Sequence, residues 1–326
     1  MNIPNILDIR SIIADARLFN LSIGINRWKY DKAKREGQFD LCCLEKMHTS
    51  ILKYLYKKYY FLLNAYMTRT APAGKMSPDR DTIWCMWWQG LDSAPELVKV
   101  CISSIQRKNP TKKVIILDKS NYRDYVDLPD YIIDKMISKN ISYTTFSDIL
   151  LFNLLAQRGG VWIDSTIFFT APLQEDFFTK SFFCAKSYPH ASESIANYRW
   201  TCYLMAGNSH EIIFDFLSDF FQLYFQDHKY SIHYFLTDYA IQLAYENIPE
   251  VKKIIDSVPE NNPQRGELTK HLCDPSCEIT SLDFLNKTDT VLFKLFWKQK
   301  YTDFLEGHVP TVWKHLKDCL LLNTTP

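Results

Sequence analysis

Nowhere in these 326 residues does an uninterrupted apolar stretch approach the ~18–20 residues that a membrane span requires. Glycine is scarce, at 9 residues, and the glycine-rich nucleotide loops are missing: there is no Gly-x-Gly-x-x-Gly and no P-loop. No His-Glu-x-x-His is present either, which removes that zinc site. The start carries no secretory signal pattern, and the chain has no internal repeat and no low-complexity tract. Net charge is also nearly absent, at +1. Cysteine is not lacking, but its count of 9 is odd and several lie in apolar runs such as Trp84-Cys85-Met86. Reduced, mostly buried thiols in a cytoplasmic protein are the expectation. Cys273 and Cys277 have the spacing of a zinc half-site, yet no second pair follows, so a loop with incidental thiols is the better reading.

What is present suits a soluble globular chain, with 47% hydrophobic, 23% charged and 15% aromatic residues. The length suits a core domain of about 200–250 residues plus an appendage. Charge is spread unevenly. Residues 1–78 carry 13 Lys/Arg against 6 Asp/Glu, and the remainder 25 against 31. A basic head on an acidic body points to an anionic contact for the first segment, nucleic acid or anionic lipid. No recognised nucleic-acid module appears, so nucleic acid is not expected as a partner.

A boundary falls near residue 75, where Thr70-Ala71-Pro72-Ala73-Gly74-Lys75-Met76-Ser77-Pro78 reads as a linker. The organisation is then a basic helical segment over 1–78 and an α/β domain over 79–326. In the first, Leu44, Met47, Ile51, Leu55, Tyr59, Leu62 and Tyr66 recur at helical spacing, with Lys46, Lys53 and Lys57 elsewhere on the wheel. With Tyr54, Tyr60 and Phe61, the 44–67 helix suits peripheral contact with an anionic bilayer, or packing on the domain that follows. In the second, strands at 83–88 and 114–117 flank a helix from Pro95 to Lys108. A helix over 143–157 precedes a strand at 161–163. A strand at 200–205, helices near 209–225 and 232–246, a strand around 290–297 and a final helix follow. Alternating strands and helices predict a largely parallel sheet with ligands at the strands' carboxyl ends.

The stretch from Ser147 to Thr166 carries the chemistry. From Asp148 the helix descends about 15 Å over ten residues. Gly159-Gly160 permits a sharp reversal. The strand climbs back about 13 Å in four residues. Asp148 and Asp164 therefore finish at one end of the sheet, where paired carboxylates can hold sugar hydroxyls or a divalent cation against a diphosphate.

Ser147-Asp148-Ile149-Leu150 followed by Gly159-Gly160-Val161-Trp162-Ile163-Asp164-Ser165-Thr166 resembles the signature of the capsular polysaccharide synthesis protein family, related to glycosyltransferase family 32 and more distantly to the large clostridial glucosylating toxins. Ile83-Trp84 with Trp87-Trp88-Gln89-Gly90 and Ala94-Pro95 resembles the family's opening strand, and Val114 to Asp118 with Asn121-Tyr122 its second. Tyr234-Phe235-Leu236 with Asp238-Tyr239 resembles a later helix, and Lys294-Leu295 with Trp297-Lys298 the closing strand. The resemblance implies a GT-A type α/β fold, mostly parallel, and a retaining transferase using a nucleotide-diphosphate sugar, a UDP-sugar foremost. The acceptor would be an oligosaccharide or lipid-linked oligosaccharide at the inner face of the cell membrane. It further implies Asp164, Asp148 and Asp238 as catalytic residues. Trp88, Gln89, Gly90, Asp118, Ser147, Gly160, Thr166, Lys294, Trp297 and Lys298 would bind the donor, with Trp88 on the base and the two lysines on the diphosphate.

Two departures stand out. Thr166 replaces the second carboxylate of an Asp-x-Asp motif, so Asp164 alone is left as a metal ligand and a requirement for manganese or magnesium stays open. Leu151 stands where the family pattern has an arginine contacting the donor. Two further readings follow: a degenerate nucleotide-sugar-binding scaffold without turnover, and a sugar-phosphate transferase on the same donor.

Overall fold

The structure, a computed structural model, describes residues 6–38, 40–69, 77–187, 193–276 and 288–321. Three helices lead: Ile6–Leu18 (α1), Leu21–Arg35 (α2) and Leu41–Met67 (α3). Thr82–Met86 (β1), Glu96–Lys108 (α4) and Lys113–Leu117 (β2) open the α/β part. Asp130–Ile137 (α5), Tyr143–Arg158 (α6), Gly160–Ile163 (β3) and Ile167–Phe169 (β4) follow. Next come Asp176–Thr179 (α7), Phe182–Cys184 (β5), Leu204–Gly207 (β6), Ile212–Asp227 (α8) and Leu236–Asn247 (α9). Pro249–Ser257 (α10), Glu267–His271 (α11), Leu292–Lys294 (β7) and Val312–Leu321 (α12) complete the order.

The central sheet has the order β2-β1-β3-β6-β5. β2, β1 and β3 are parallel; β6 runs against both β3 and β5, so it alone is reversed. The α/β architecture expected from the sequence is thus observed. A small antiparallel pair, β4 with β7, sits beyond the carboxyl end of β3 and sets Ile167 opposite Lys294. The strand expected at 83–88 ends at Met86, because Trp87 and Trp88 enter a turn closed by Gly90 N–H on the Trp87 carbonyl. The strand expected at 200–205 begins only at Leu204, since Trp200 and Thr201 spend their side-chain donors on Asp238 and the Ala185 carbonyl.

The predicted apolar stripe of α3 is buried: Met47, Ile51, Leu55 and Tyr59 are at most 1% exposed. It shares one core with α8 and α9, Tyr59 meeting Phe220 edge-on at 5.1 Å and Tyr66 meeting Phe216 at 5.5 Å. Among the described residues, three ion pairs join the leading helices to the rest of the chain, Lys34–Glu193, Lys58–Asp227 and Arg69–Asp215. Part of the basic head's charge therefore meets the acidic body within the chain. The linker lies outside the described residues from 70 to 76, as does Cys277; Cys273 is exposed. Among the described residues no helix is long and apolar enough to cross a membrane.

Candidate active site

Helix α6 starts at Ser142, whose hydroxyl accepts the Thr145 N–H, and ends where Gly159 turns to φ +70°. Gly160 follows at φ +98°, a left-handed conformation that favours glycine. Space forbids a side chain there as well: a Cβ on Gly160 would lie 2.5 Å from Trp84 Nε1 and 2.8 Å from the Asp79 and Thr82 carbonyls. Trp84 Nε1 donates to the Gly159 carbonyl at 2.9 Å and locks the reversal. β3 then returns beside β1, bringing Asp164 within electrostatic reach of Asp148.

Asp164 follows β3. Its Oδ2 faces Lys294 Nζ at 2.5 Å, and its Oδ1 accepts the Trp162 indole N–H at 3.2 Å. Lys294 is fixed from three sides. The β4–β7 register sets it opposite Ile167, its N–H donates to the Arg265 carbonyl at 2.8 Å, and its ammonium stands 5.7 Å from the Tyr203 ring. Lys294 therefore faces an acid on the Asp164 wall and is not a solvated strand edge.

Asp148 Oδ2 accepts the Thr237 hydroxyl at 2.6 Å. Burial pushes its carboxyl up to about 7; the Thr237 bond works against burial, and the charges of Asp164 and Asp238 add to it. Asp238, in the first turn of α9, accepts from Ser194 Oγ at 3.0 Å and from Trp200 Nε1 at 3.0 Å. Burial raises its carboxyl too, against those two hydrogen bonds. Asp238 thereby ties the 194–200 loop to α9, beside the Asp148 wall.

The residues expected to bind the nucleotide lie after β1 and β2. Trp88 is half-buried against Phe146 and Tyr122, with ring centroids at 4.9 and 5.2 Å. Gln89 is exposed, and Gly90 turns at φ +88° beside the Asp118 carboxylate. Asp118 takes the Ser120 hydroxyl and N–H, bonds that hold its carboxyl below the usual range. Ser147 is half-buried next to Asp148. Thr166 is 7% exposed, and its carbonyl accepts the Leu295 N–H. Trp297 is 45% exposed and meets Trp87 edge-on at 5.8 Å, while Lys298 is exposed beside it.

The arrangement combines three carboxylates with one ammonium at the carboxyl end of the sheet. Ionised carboxylates accept from sugar hydroxyls, and the ammonium can meet a phosphate oxygen. The side chains do not by themselves fit a divalent cation. Both Asp164 oxygens already have donors, Thr166 is not a carboxylate, and no group of three His, Cys, Asp or Glu side chains converges to hold a metal among the described residues.

Four site residues escape sequence reasoning: Thr237, Tyr203, Arg265 and Trp87. Thr237 had a signal, standing between Leu236 and Asp238 in a matching stretch. Trp87 had one too, yet only the structure reveals that its indole N–H is buried without a partner among the described residues and that its ring faces Trp297. Tyr203 and Arg265 had none.

No curated protein matches the sequence. Among solved structures, the chain is similar to the galactosyltransferase LgtC, in complex with donor and acceptor sugar analogues, at 11% identity and TM-score 0.38, over 75% of this chain and 97% of that one. It is similar also to the PaToxG glycosyltransferase at 15% identity and TM-score 0.36, over 64% and 81%. The sequence evidence reaches further, because the model of the capsular polysaccharide synthesis proteins matches residues 34–316, from α2 to α12 and across every site residue above. The chain belongs to the capsular polysaccharide synthesis protein family.

Proposed function

We propose that this protein is a GT-A type glycosyltransferase. It moves a sugar from a nucleotide-diphosphate donor, of the UDP-sugar class, to a hydroxyl of a growing capsular repeat unit, with retention. The observation that carries the reading is the convergence of Asp164, Lys294 and Asp148 at the carboxyl end of β3. In the reaction the sugar C1–O bond breaks and its electron pair stays on the phosphate oxygen. The acceptor oxygen bonds to C1 on the same face, and its proton passes to the departing phosphate. No strong protein base is needed, and among the described residues the site holds none on His or Glu.

Asp164 and Asp148 orient sugar and ribose hydroxyls, Asp238 positions the loop on the acceptor side, and Lys294 meets the diphosphate charge as it develops. Trp88, Gln89, Gly90, Asp118 and Ser147 line the nucleotide end, with Trp297 and Lys298 at the mouth. Residues 79–326 form the catalytic domain in this reading and 1–78 a helical buttress. The acceptor is an oligosaccharide, free or lipid-linked, met at the inner face of a bacterial membrane. The exposed Tyr56, Tyr60 and Phe61 beside Lys53 and Lys57 suit that contact.

The test is incubation of the full chain with a panel of nucleotide sugars, following nucleotide release by chromatography. Release of a nucleoside diphosphate from one donor, increased by an oligosaccharide acceptor, is the expected result. Nucleoside monophosphate release would instead identify a sugar-phosphate transferase. One observation favours a non-catalytic binder: Leu151 is 1% exposed, sealed in the core at a position where a donor-contacting arginine would be expected. Donor binding without hydrolysis or transfer would establish that second reading.

A further inference from the structure

A diphosphate leaving group must meet positive charge, and three carboxylates, Asp148, Asp164 and Asp238, already lie within electrostatic reach of one another here. Among the described residues one cation stands at the decisive carboxylate, Lys294, 2.5 Å from Asp164 Oδ2. Strand register, the Arg265 carbonyl and the Tyr203 ring hold it there, so its place is set by the sheet and not by a flexible loop. Asp164 has no oxygen left without a donor, and Thr166 offers a buried hydroxyl where a second acid would complete a cation site. Magnesium gives up its water reluctantly and manganese also favours several oxygen ligands; neither finds a ready protein cage here.

We infer that Lys294 does the work of a divalent cation, giving nucleoside diphosphate recognition that does not depend on metal. Arg265 is the second charge of the same device. Its guanidinium stacks on the Tyr198 ring at 3.8 Å, its charge reaches the Tyr203 hydroxyl, and it has no ion pair with an acid among the described residues. Lys294 and Arg265 thus flank Tyr203, and Asp164 balances only one of the two charges, so the pair keeps a net positive charge for the phosphate. This inference rests on the transferase reading above.

The test is calorimetric titration of the full chain with UDP and with GDP, in EDTA and again in manganese chloride, with uridine as control. For the nucleotide that binds, wild-type affinity is expected to be the same in both buffers within about threefold. Lys294→Met should lose about thirtyfold in EDTA, the worth of a charged hydrogen bond. Manganese should restore much of that loss by occupying the freed Asp164, and Lys294→Arg should bind in EDTA. Wild-type binding that appears only with manganese overturns the inference while leaving the transferase reading intact. Undiminished binding by Lys294→Met in EDTA overturns it as well. If neither diphosphate binds wild type in either buffer, the transferase reading fails and this inference falls with it.

Discussion

The Thr237 hydroxyl donates to Asp148 Oδ2 at 2.6 Å, joining the first turn of α9 to the middle of α6 across 89 positions of sequence. The bond favours the ionised carboxylate, but burial outweighs it and the Asp148 carboxyl stands at about 7. In the unfolded chain the same group ionises near 3.8. Between those values the native state keeps a proton that the unfolded state releases, so this group's contribution to stability falls as pH rises through that window. Asp148→Asn removes the ionisation. It should melt higher than wild type at pH 8, by about 2 °C or more, with the gap closing toward pH 4. Transfer should be lost in the same variant. Melting curves at the two pH values check the sign, and a gap independent of pH would refute the titration.

Thr237→Val should act on the same group from the other side. Without the hydroxyl the Asp148 carboxyl rises further, and the acid limb of the transfer rate moves to higher pH. A pH–rate profile of the variant, set beside that of wild type, reads this directly. An unmoved limb would mean that Asp148 ionisation does not govern the rate.

Asp164→Asn keeps the shape of the side chain and removes the charge opposite Lys294. Transfer should fall by about 100-fold or more, the scale on which a positioned electrostatic partner acts. The pair is part-exposed, with Asp164 34% and Lys294 27% accessible, so the melting temperature should move by only a few degrees. Turnover of a labelled donor, paired with a thermal melt, separates the two effects. Wild-type turnover in the variant would remove Asp164 from the site.

Gly160 and Gly37 offer a controlled comparison, since both have positive φ, at +98° and +72°. A Cβ at Gly37 meets nothing within 4 Å, whereas one at Gly160 meets the Trp84 indole nitrogen and two carbonyls below 3 Å. Gly37→Ala should cost about 1 kcal/mol from backbone strain alone. Gly160→Ala should cost several times more, by roughly 3 kcal/mol or beyond, because backbone and a buried indole must move. Urea denaturation of the two variants checks the ratio. Equal losses would mean that the hairpin tolerates a side chain.

That hairpin explains how much of the site was legible. Gly159-Gly160 between a helical and a strand pattern fixes a reversal by itself, and the known rise of each element then places Asp148 and Asp164 at one end. Lys294 could be named as a candidate, but its partner could not, because 130 positions separate it from Asp164 and only the β4–β7 pairing closes the gap. β4 and β7, like β5, are three residues long, too short for period-two alternation to register. Tyr203 and Arg265 lie in turns whose course is set by tertiary packing, so no local pattern announces them. The stripe of α3 was legible as amphipathic, yet periodicity alone cannot say whether a lipid surface or a protein core receives it.

The buried stripe leads to a prediction about the whole chain. Ile51 and Leu55 are fully buried in the core shared with α8 and α9, and α9 carries both Thr237 and Asp238. Leu55→Ala leaves a cavity and should cost about 2–5 kcal/mol. Lys57→Ala on the exposed face should cost less than about 0.5 kcal/mol. If the helical segment and the α/β body share one core, the loss at Leu55 must appear in a single transition, seen alike by far-ultraviolet dichroism and tryptophan fluorescence. All eight tryptophans but Trp28 lie beyond residue 83, so fluorescence reports chiefly on the α/β body. Two transitions, with dichroism leading and fluorescence unchanged, would mean that α3 unfolds alone. In that case the α9 end of the site would not depend on it.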